Sequence, residues 1–100
     1  MKQKKGVVLA GLKIVMRNVL IQANDIWDKY GKKLVVTAGL EGNHSAGSLH
    51  YYGYAVDLRT WYFSKVVKAK VARELQEALG SDYDVIVHKT HIHVEYDPKS

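Results

Sequence analysis

Two alternating segments near the C-terminus constrain the fold of this chain most. Residues 84–88 and 91–96 each alternate between two kinds of side chain, a period that is typical of β-strands whose faces differ. If the two residues between these segments form the turn of a hairpin, His88 lies directly opposite His91. That register collects the apolar side chains on one face: Val85, Val87, Ile92, Val94 and Tyr96.

The opposite face of the predicted hairpin carries three histidines. The same register places His88, His91 and His93 together there, beside Ile86 and Glu95. A buried imidazole needs a partner for each ring nitrogen, so three histidines on one sheet face are difficult to explain as core residues. We therefore interpret this face as metal-binding or catalytic.

A second group of candidate ligands lies in the middle of the chain. His50 and Asp57 flank Gly53, whose conformational freedom allows a sharp backbone path that brings the two side chains together. Residues 55–58 predict a short strand that directs Asp57 away from its apolar neighbours. Two residues make a weak motif, and a loop histidine that never meets a strand aspartate explains them equally well.

The residue types in the two groups are those that zinc accepts where cysteine is absent. The chain has no cysteine, which excludes disulfides and thiolate metal sites. A catalytic zinc site needs three protein ligands and one open position. We expect His50, Asp57 and one C-terminal histidine to supply them.

The remaining periodicity predicts two helices and one more strand. Apolar residues at helical spacing indicate a helix over about 9–30, and Ser64 is the expected N-cap of a second helix over 65–79. Residues 34–37 are rich in β-branched side chains and predict a strand. The fold class expected is α+β, a small antiparallel sheet packed by two helices, with the zinc site on the open face of the sheet.

Length and composition limit the organisation and the partners. One hundred residues predict a single domain over 1–100, with 1–8 as a flexible basic arm. The net charge of +5 favours anionic partners, but the lysines are scattered and no nucleic-acid motif accompanies them. We therefore expect neither nucleic acid nor membrane as a partner, and we expect a monomer.

The N-terminus has a basic start and a short apolar run that only partly fits a signal peptide. Gly11 and Lys13 interrupt the apolar pattern, and no small-residue cleavage site follows it. Synthesis in the cytoplasm without a signal peptide is the expectation.

The two groups of residues together form a pattern with a known parallel. Ser48-x-His50-x-x-Gly53-x-Ala55-x-Asp57, followed by His88-x-x-His91-x-His93, resembles the zinc D-Ala-D-Ala metallopeptidases. That family includes D,D-carboxypeptidases, bacteriophage endolysin peptidases and the zinc fold of hedgehog signalling domains. The resemblance covers roughly residues 34–98, and the predicted N-terminal helix fits it too.

The resemblance implies a role for each matched residue. His50, Asp57 and His93 would ligate Zn²⁺, while His91 and His88 would be catalytic histidines. Some branches of the family carry a glutamate three residues before the last metal-binding histidine, where this chain has a threonine. The proton-transfer base is therefore open between His91 and His88.

The substrate side of the pattern departs from the family. Members often hold the substrate carboxylate with an arginine upstream of the first motif, but the predicted strand before this motif offers Thr37 and no arginine. Arg59 and Lys33 are the expected substitutes, and Ser48 occupies a motif position that could hydrogen-bond the substrate or the groups around it.

The resemblance implies a zinc peptidase that hydrolyses a bond in peptidoglycan stem peptides. Its substrate would be the terminal D-Ala-D-Ala or an internal bond, and it would act at the bacterial cell wall after release, for example in phage lysis. The alternative is a non-catalytic zinc-binding recognition or structural module on the same scaffold.

Overall fold

Two helices pack against one sheet in the computed structural model, which describes residues 1–40 and 53–98. The elements in chain order are β1 (Lys2–Gln3), α1 (Ile14–Lys29), β2 (Val35–Ala38), β3 (Ala55–Arg59), α2 (Lys65–Leu79), β4 (Tyr83–Val87) and β5 (His91–Tyr96). The five strands form one sheet in the order β1-β2-β3-β5-β4. The predicted α+β class is confirmed, although β1 runs parallel to β2 and makes the sheet mixed.

Both helices pack on the same face of the sheet. Strand alternation directs Val56 and Leu58 of β3, and Ile92 of β5, toward the helices, where all three are fully buried. Trp27 is the largest buried side chain of α1. The opposite face is therefore left to the polar side chains of the same strands.

The two helices differ in how closely the sequence predicted them. α2 has the predicted bounds, because Ser64 accepts a hydrogen bond from the backbone N–H of Val67 at 3.2 Å and caps it. The predicted start of α1 at residue 9 is wrong, since the helix begins at Ile14. Gly11 adopts a φ of +87°, a left-handed conformation that an α-helix does not contain.

The expected arm over residues 1–8 is also corrected by the structure. The backbone N–H of Lys2 donates to Leu34 and that of Lys4 donates to Val36, each at 2.8 Å, so this segment adds an edge strand to the sheet. Val7 is buried and joins the core. A strand this short has too few residues to show the alternation that predicts a strand. The basic composition of the segment therefore led to the prediction of an arm.

The C-terminal hairpin has the predicted register. His88 donates its backbone N–H to the carbonyl of His91 at 2.8 Å, and Ile86 is paired with His93. His88, His91 and His93 consequently share one face of the hairpin, as the alternation indicated.

One side chain of α2 covers part of the outer edge of the sheet. Gln76 donates to the carbonyl of Tyr83 at 2.8 Å and accepts from the N–H of Val85 at 3.2 Å. An edge strand offers free backbone groups that can pair with another chain. Gln76 satisfies these groups over the first half of β4.

Among the described residues, no helix is both long and apolar enough to cross a membrane.

Gly53 lies at a close contact between the start of β3 and the segment before α1. Its φ is +80°, and a Cβ atom there would lie 2.8 Å from the carbonyl oxygen of Gly11. The backbone N–H of Lys13 donates to the carbonyl of Gly53 at 3.1 Å, which holds the two segments together. Both conformation and space thus favour glycine at residue 53, whereas the expected convergence of His50 on Asp57 involves a residue outside the described ones.

We predict that Gly53→Ala destabilises the protein more than Gly31→Ala does. Both glycines have positive φ, so alanine costs about 1–2 kcal/mol at either position. Only Gly53 adds a backbone clash, which we expect to cost a further 1–3 kcal/mol or so. Urea unfolding of the two variants measures the difference, and equal destabilisation would contradict the close contact.

Candidate metal and active site

Pairing between β3 and β5 brings Asp57 beside His93. Thr60 donates to the carbonyl of Thr90 at 3.0 Å, and Tyr96 donates to that of Tyr54 at 2.9 Å, which fixes the phase of the hydrogen-bond ladder. Asp57 and His93 face each other at a position between such bonds. Facing side chains are closest at non-hydrogen-bonded positions of an antiparallel pair.

The carboxylate of Asp57 lies between two imidazoles. Its Oδ1 is 2.9 Å from Nδ1 of His93, and its Oδ2 is 3.8 Å from Nε2 of His91. The side chains of Asp57 and His93 are 18% and 17% exposed, so a charge here is only partly screened by water. The structure thus brings together three residues that the sequence proposed for one site.

The second ring nitrogen of His93 faces another carboxylate. Nε2 lies 2.8 Å from Oε1 of Glu95, two residues along the same strand. The hydrogen bond with Asp57 raises the pKa of His93, and the one with Glu95 raises it further, while burial opposes both. Glu95 was placed on this face from the sequence but was given no role.

This arrangement fits a zinc ligand pair. Metal-binding histidines usually donate the other ring N–H to a carboxylate, which fixes the tautomer and the ring orientation. His93 has that environment, since Nδ1 converges with the Asp57 carboxylate while Nε2 is held by Glu95. Asp57 and His93 therefore fit as two ligands of the expected three.

His88 and His91 form a stacked pair at the end of the hairpin. Their ring centroids are 4.6 Å apart with an interplanar angle of 23°, and the His88 ring is 6.5 Å from that of His93. Stacking follows from the hairpin register, which puts residues 88 and 91 opposite each other. Two further imidazoles thus adjoin Asp57 and His93.

A cleft of about 310 Å³ opens beside this histidine cluster. Its lining includes Asp57 and His91 together with the cationic side chains of Lys4 and Arg59. The guanidinium carbon of Arg59 is 5.6 Å from the ring centroid of Trp61, a cation–π distance that helps to orient it. Lys4 was missed because nothing in the sequence showed that the N-terminus pairs with β2.

Two of the predicted site residues are not placed. His50 and Ser48 lie outside the described residues, so the third expected zinc ligand and one expected substrate contact have no coordinates to compare with the prediction.

An acidic group toward the far end of the hairpin shares Glu95 with the site around His93. Within residues 1–40 and 53–98, Asp84, Glu95 and Asp97 bring one carboxylate oxygen each to within 4.8 Å of one another. All-carboxylate groups suit hard cations such as Mg²⁺ or Ca²⁺ rather than zinc. This group was not predicted, although the predicted hairpin register places Asp84 opposite Glu95.

Comparison with models of known protein families found no match, and neither did comparison with curated proteins. The assignment of residues to roles therefore rests on the geometry and on the motif pattern.

The raised pKa of His93 makes the metal-free protein pH-sensitive. A raised folded-state pKa stabilises the protein below the ordinary histidine pKa of about 6.5, and this stability is lost as the pH rises through the folded value. We predict that the free energy of unfolding in a chelator falls over that window. Asp57→Asn removes the main cause, so urea unfolding of this variant should show a weaker fall; an equal fall in both proteins would contradict the assignment.

Glu95 gives a test of the zinc fit itself. We predict that Glu95→Ala weakens zinc binding about 10- to 100-fold, because the His93 ring loses the acceptor that orients it. Competition with a chromophoric chelator measures the affinity, and ¹⁵N chemical shifts of the imidazole report the tautomer. Glu77→Ala, which removes an exposed carboxylate from α2, is the matched control. Equal zinc affinity in both variants would rule out this role.

Proposed function

We propose that this chain is a zinc-dependent peptidase that hydrolyses a bond in peptidoglycan stem peptides. The observation that carries the proposal is the convergence of one carboxylate and three imidazoles on a single sheet face beside a cationic cleft. A purely structural metal site needs only the residues that bind the metal and has no need of further histidines beside them. The stacked His88 and His91 therefore favour an enzyme over a non-catalytic zinc module.

The proposed ligands are Asp57, His93 and, from the motif pattern, His50. Bound zinc would supply a Lewis acid that activates water for attack on a peptide carbonyl. Asp57 and Glu95 hold the His93 ring from its two sides, so that Nδ1 is directed toward the shared position. This fixed geometry reduces the reorganisation that catalysis would otherwise require.

The two remaining histidines are proposed to handle protons. His91 lies beside the carboxylate of Asp57, and an imidazole titrates near neutral pH, which suits a general base or acid. His88 stacks on His91 and is more exposed, so it can exchange protons with solvent. We assign His91 as the base and His88 as its partner in proton transfer.

The cleft is proposed to hold the substrate. Arg59 and Lys4 place two cations within reach of a carboxylate, the group that stem peptides carry at their C-terminus and side chains. Ser48 remains a proposed substrate contact on the motif pattern alone. The proposal covers a terminal D-Ala-D-Ala bond or an internal bond, and a role in phage lysis with release from the cytoplasm to the wall.

We predict different losses for two histidine variants. His91→Ala should keep zinc and fold but lose activity by about 100-fold or more, because a general base is removed without a ligand. His93→Ala should lose zinc affinity and stability together, because binding is coupled to folding. Elemental analysis with thermal melting separates them. If His91→Ala loses zinc as His93→Ala does, the ligand assignment is wrong.

Mass spectrometry of muropeptides tests the reaction directly. Zinc-loaded protein should convert purified muropeptides to products whose mass identifies the cleaved bond, while the chelated protein should leave them intact. His91→Ala loaded with zinc is the matched control for contaminating peptidases. Intact muropeptides together with stoichiometric zinc would support the non-catalytic module instead.

A further inference from the structure

A second groove lies on the far side of His88 from the ligand pair. It has a volume of about 570 Å³ and runs between the first turns of α2 and the end of β4. Its lining residues are Lys65, Lys68, Ala69, Val87, His88 and Lys89. Since His88 also stacks on His91, the groove adjoins the proposed active site.

The groove combines an apolar floor with a cationic rim. Val87 is 47% exposed although it belongs to the apolar face of its strand, and Ala69 lies beside it. Lys65 and Lys89 are exposed, and the described residues that line the groove include no carboxylate. A ligand that fits must therefore bring both apolar surface and negative charge.

The third lysine is held in place. Nζ of Lys68 donates to the carbonyls of His88 and Lys89, at 3.2 and 3.0 Å. An ammonium group has three donors, so one donor of Lys68 is left to point elsewhere. Lys68 thereby fixes the hairpin turn and adds a cation whose position is set before any ligand arrives.

The backbone of β4 distinguishes a peptide from other anions. Because His88 is hydrogen-bonded to His91, alternation directs the N–H and C=O of Val87 away from β5, toward the outer edge. Gln76 covers this edge at Tyr83 and Val85, and the groove begins beyond it, at Val87. An extended peptide can pair with such an edge, whereas a phosphate polymer has no matching N–H and C=O groups.

We propose that this groove binds a carboxylate-bearing peptide segment, which pairs with the edge of β4 at Val87 and places its carboxylates among Lys65, Lys68 and Lys89. Peptide binding in this groove does not depend on the proposed function. Only the identification of the natural peptide as part of the peptidoglycan substrate rests on it. It would explain why α2 begins with lysines, which the helix dipole disfavours.

Fluorescence anisotropy with a short labelled peptide of alternating alanine and glutamate tests the groove. We expect the double variant Lys65→Glu, Lys89→Glu to bind this peptide about tenfold more weakly than the unchanged protein, since two attractions become repulsions. The matched control is Lys32→Glu, Lys33→Glu, which makes the same change in net charge in a different groove and should alter binding less than twofold. Lys68 is left intact because it also supports the turn.

Three results would overturn the proposal. One is an equal loss in both double variants, which would indicate attraction by net charge alone. The second is equally tight binding of a peptide with glutamine in place of glutamate, and the third is displacement of the peptide by polyphosphate at lower concentration than by unlabelled peptide. Binding is measured in chelator and with zinc. Lysine-dependent binding in a protein that cleaves no muropeptide would support the groove while the peptidase proposal fails.

Discussion

The register between β3 and β5 sets both the core and the candidate site. Because successive side chains of a strand point to opposite faces, the pairing that buries Leu58 against the helices must also place Asp57 beside His93. A shift of one residue would expose the apolar set and bury the charged one. The free energy of core burial therefore fixes the relative position of Asp57 and His93, and no additional interaction is needed to align these two side chains.

Partial burial of charged side chains on the polar face of the sheet costs solvation free energy, and hydrogen bonds between those side chains offset the cost. A partly buried carboxylate and imidazole lose hydrogen bonds to water. Hydrogen bonds within the Asp57–His93–Glu95 series replace them. Hydrogen bonds to Asp57 and to Glu95 favour the protonated imidazole and so raise the pKa of His93, although burial opposes them. A divalent cation held by Asp57 and His93, as we propose, would compete with that proton.

Periodicity was the reliable guide to the fold, and it failed only where segments are short or irregular. The hairpin register and α2 followed from alternation and from the Ser64 cap, because both signals are local. The start of α1 was placed too early because a helical stripe continues through Leu12, while the left-handed Gly11 prevents helix there. The strand β1 could not be predicted, since its pairing with β2 depends on residues more than thirty positions away.

The site was predictable to the extent that it lies on regular strands. His91 and His93 share a face as the alternation predicted, whereas Asp57 and Lys4 reach the site by long-range strand pairing that no local pattern records. The role of Glu95 was within reach of the sequence, because residues two apart on a strand share a face. What alternation could not give was the distance between ring nitrogen and carboxylate, which depends on side-chain rotamers.

X-ray absorption spectroscopy of the zinc-loaded protein tests the central claim most directly, that Asp57 and His93 bind zinc together with a further histidine. The account predicts one zinc per chain with nitrogen and oxygen donors at about 2.0–2.2 Å and with outer-shell scattering from two imidazoles. Asp57→Asn and His93→Ala should abolish this signal, and Asp84→Asn should not. An all-oxygen shell without imidazole scattering, which the acidic group around Asp84 would produce, would contradict the account.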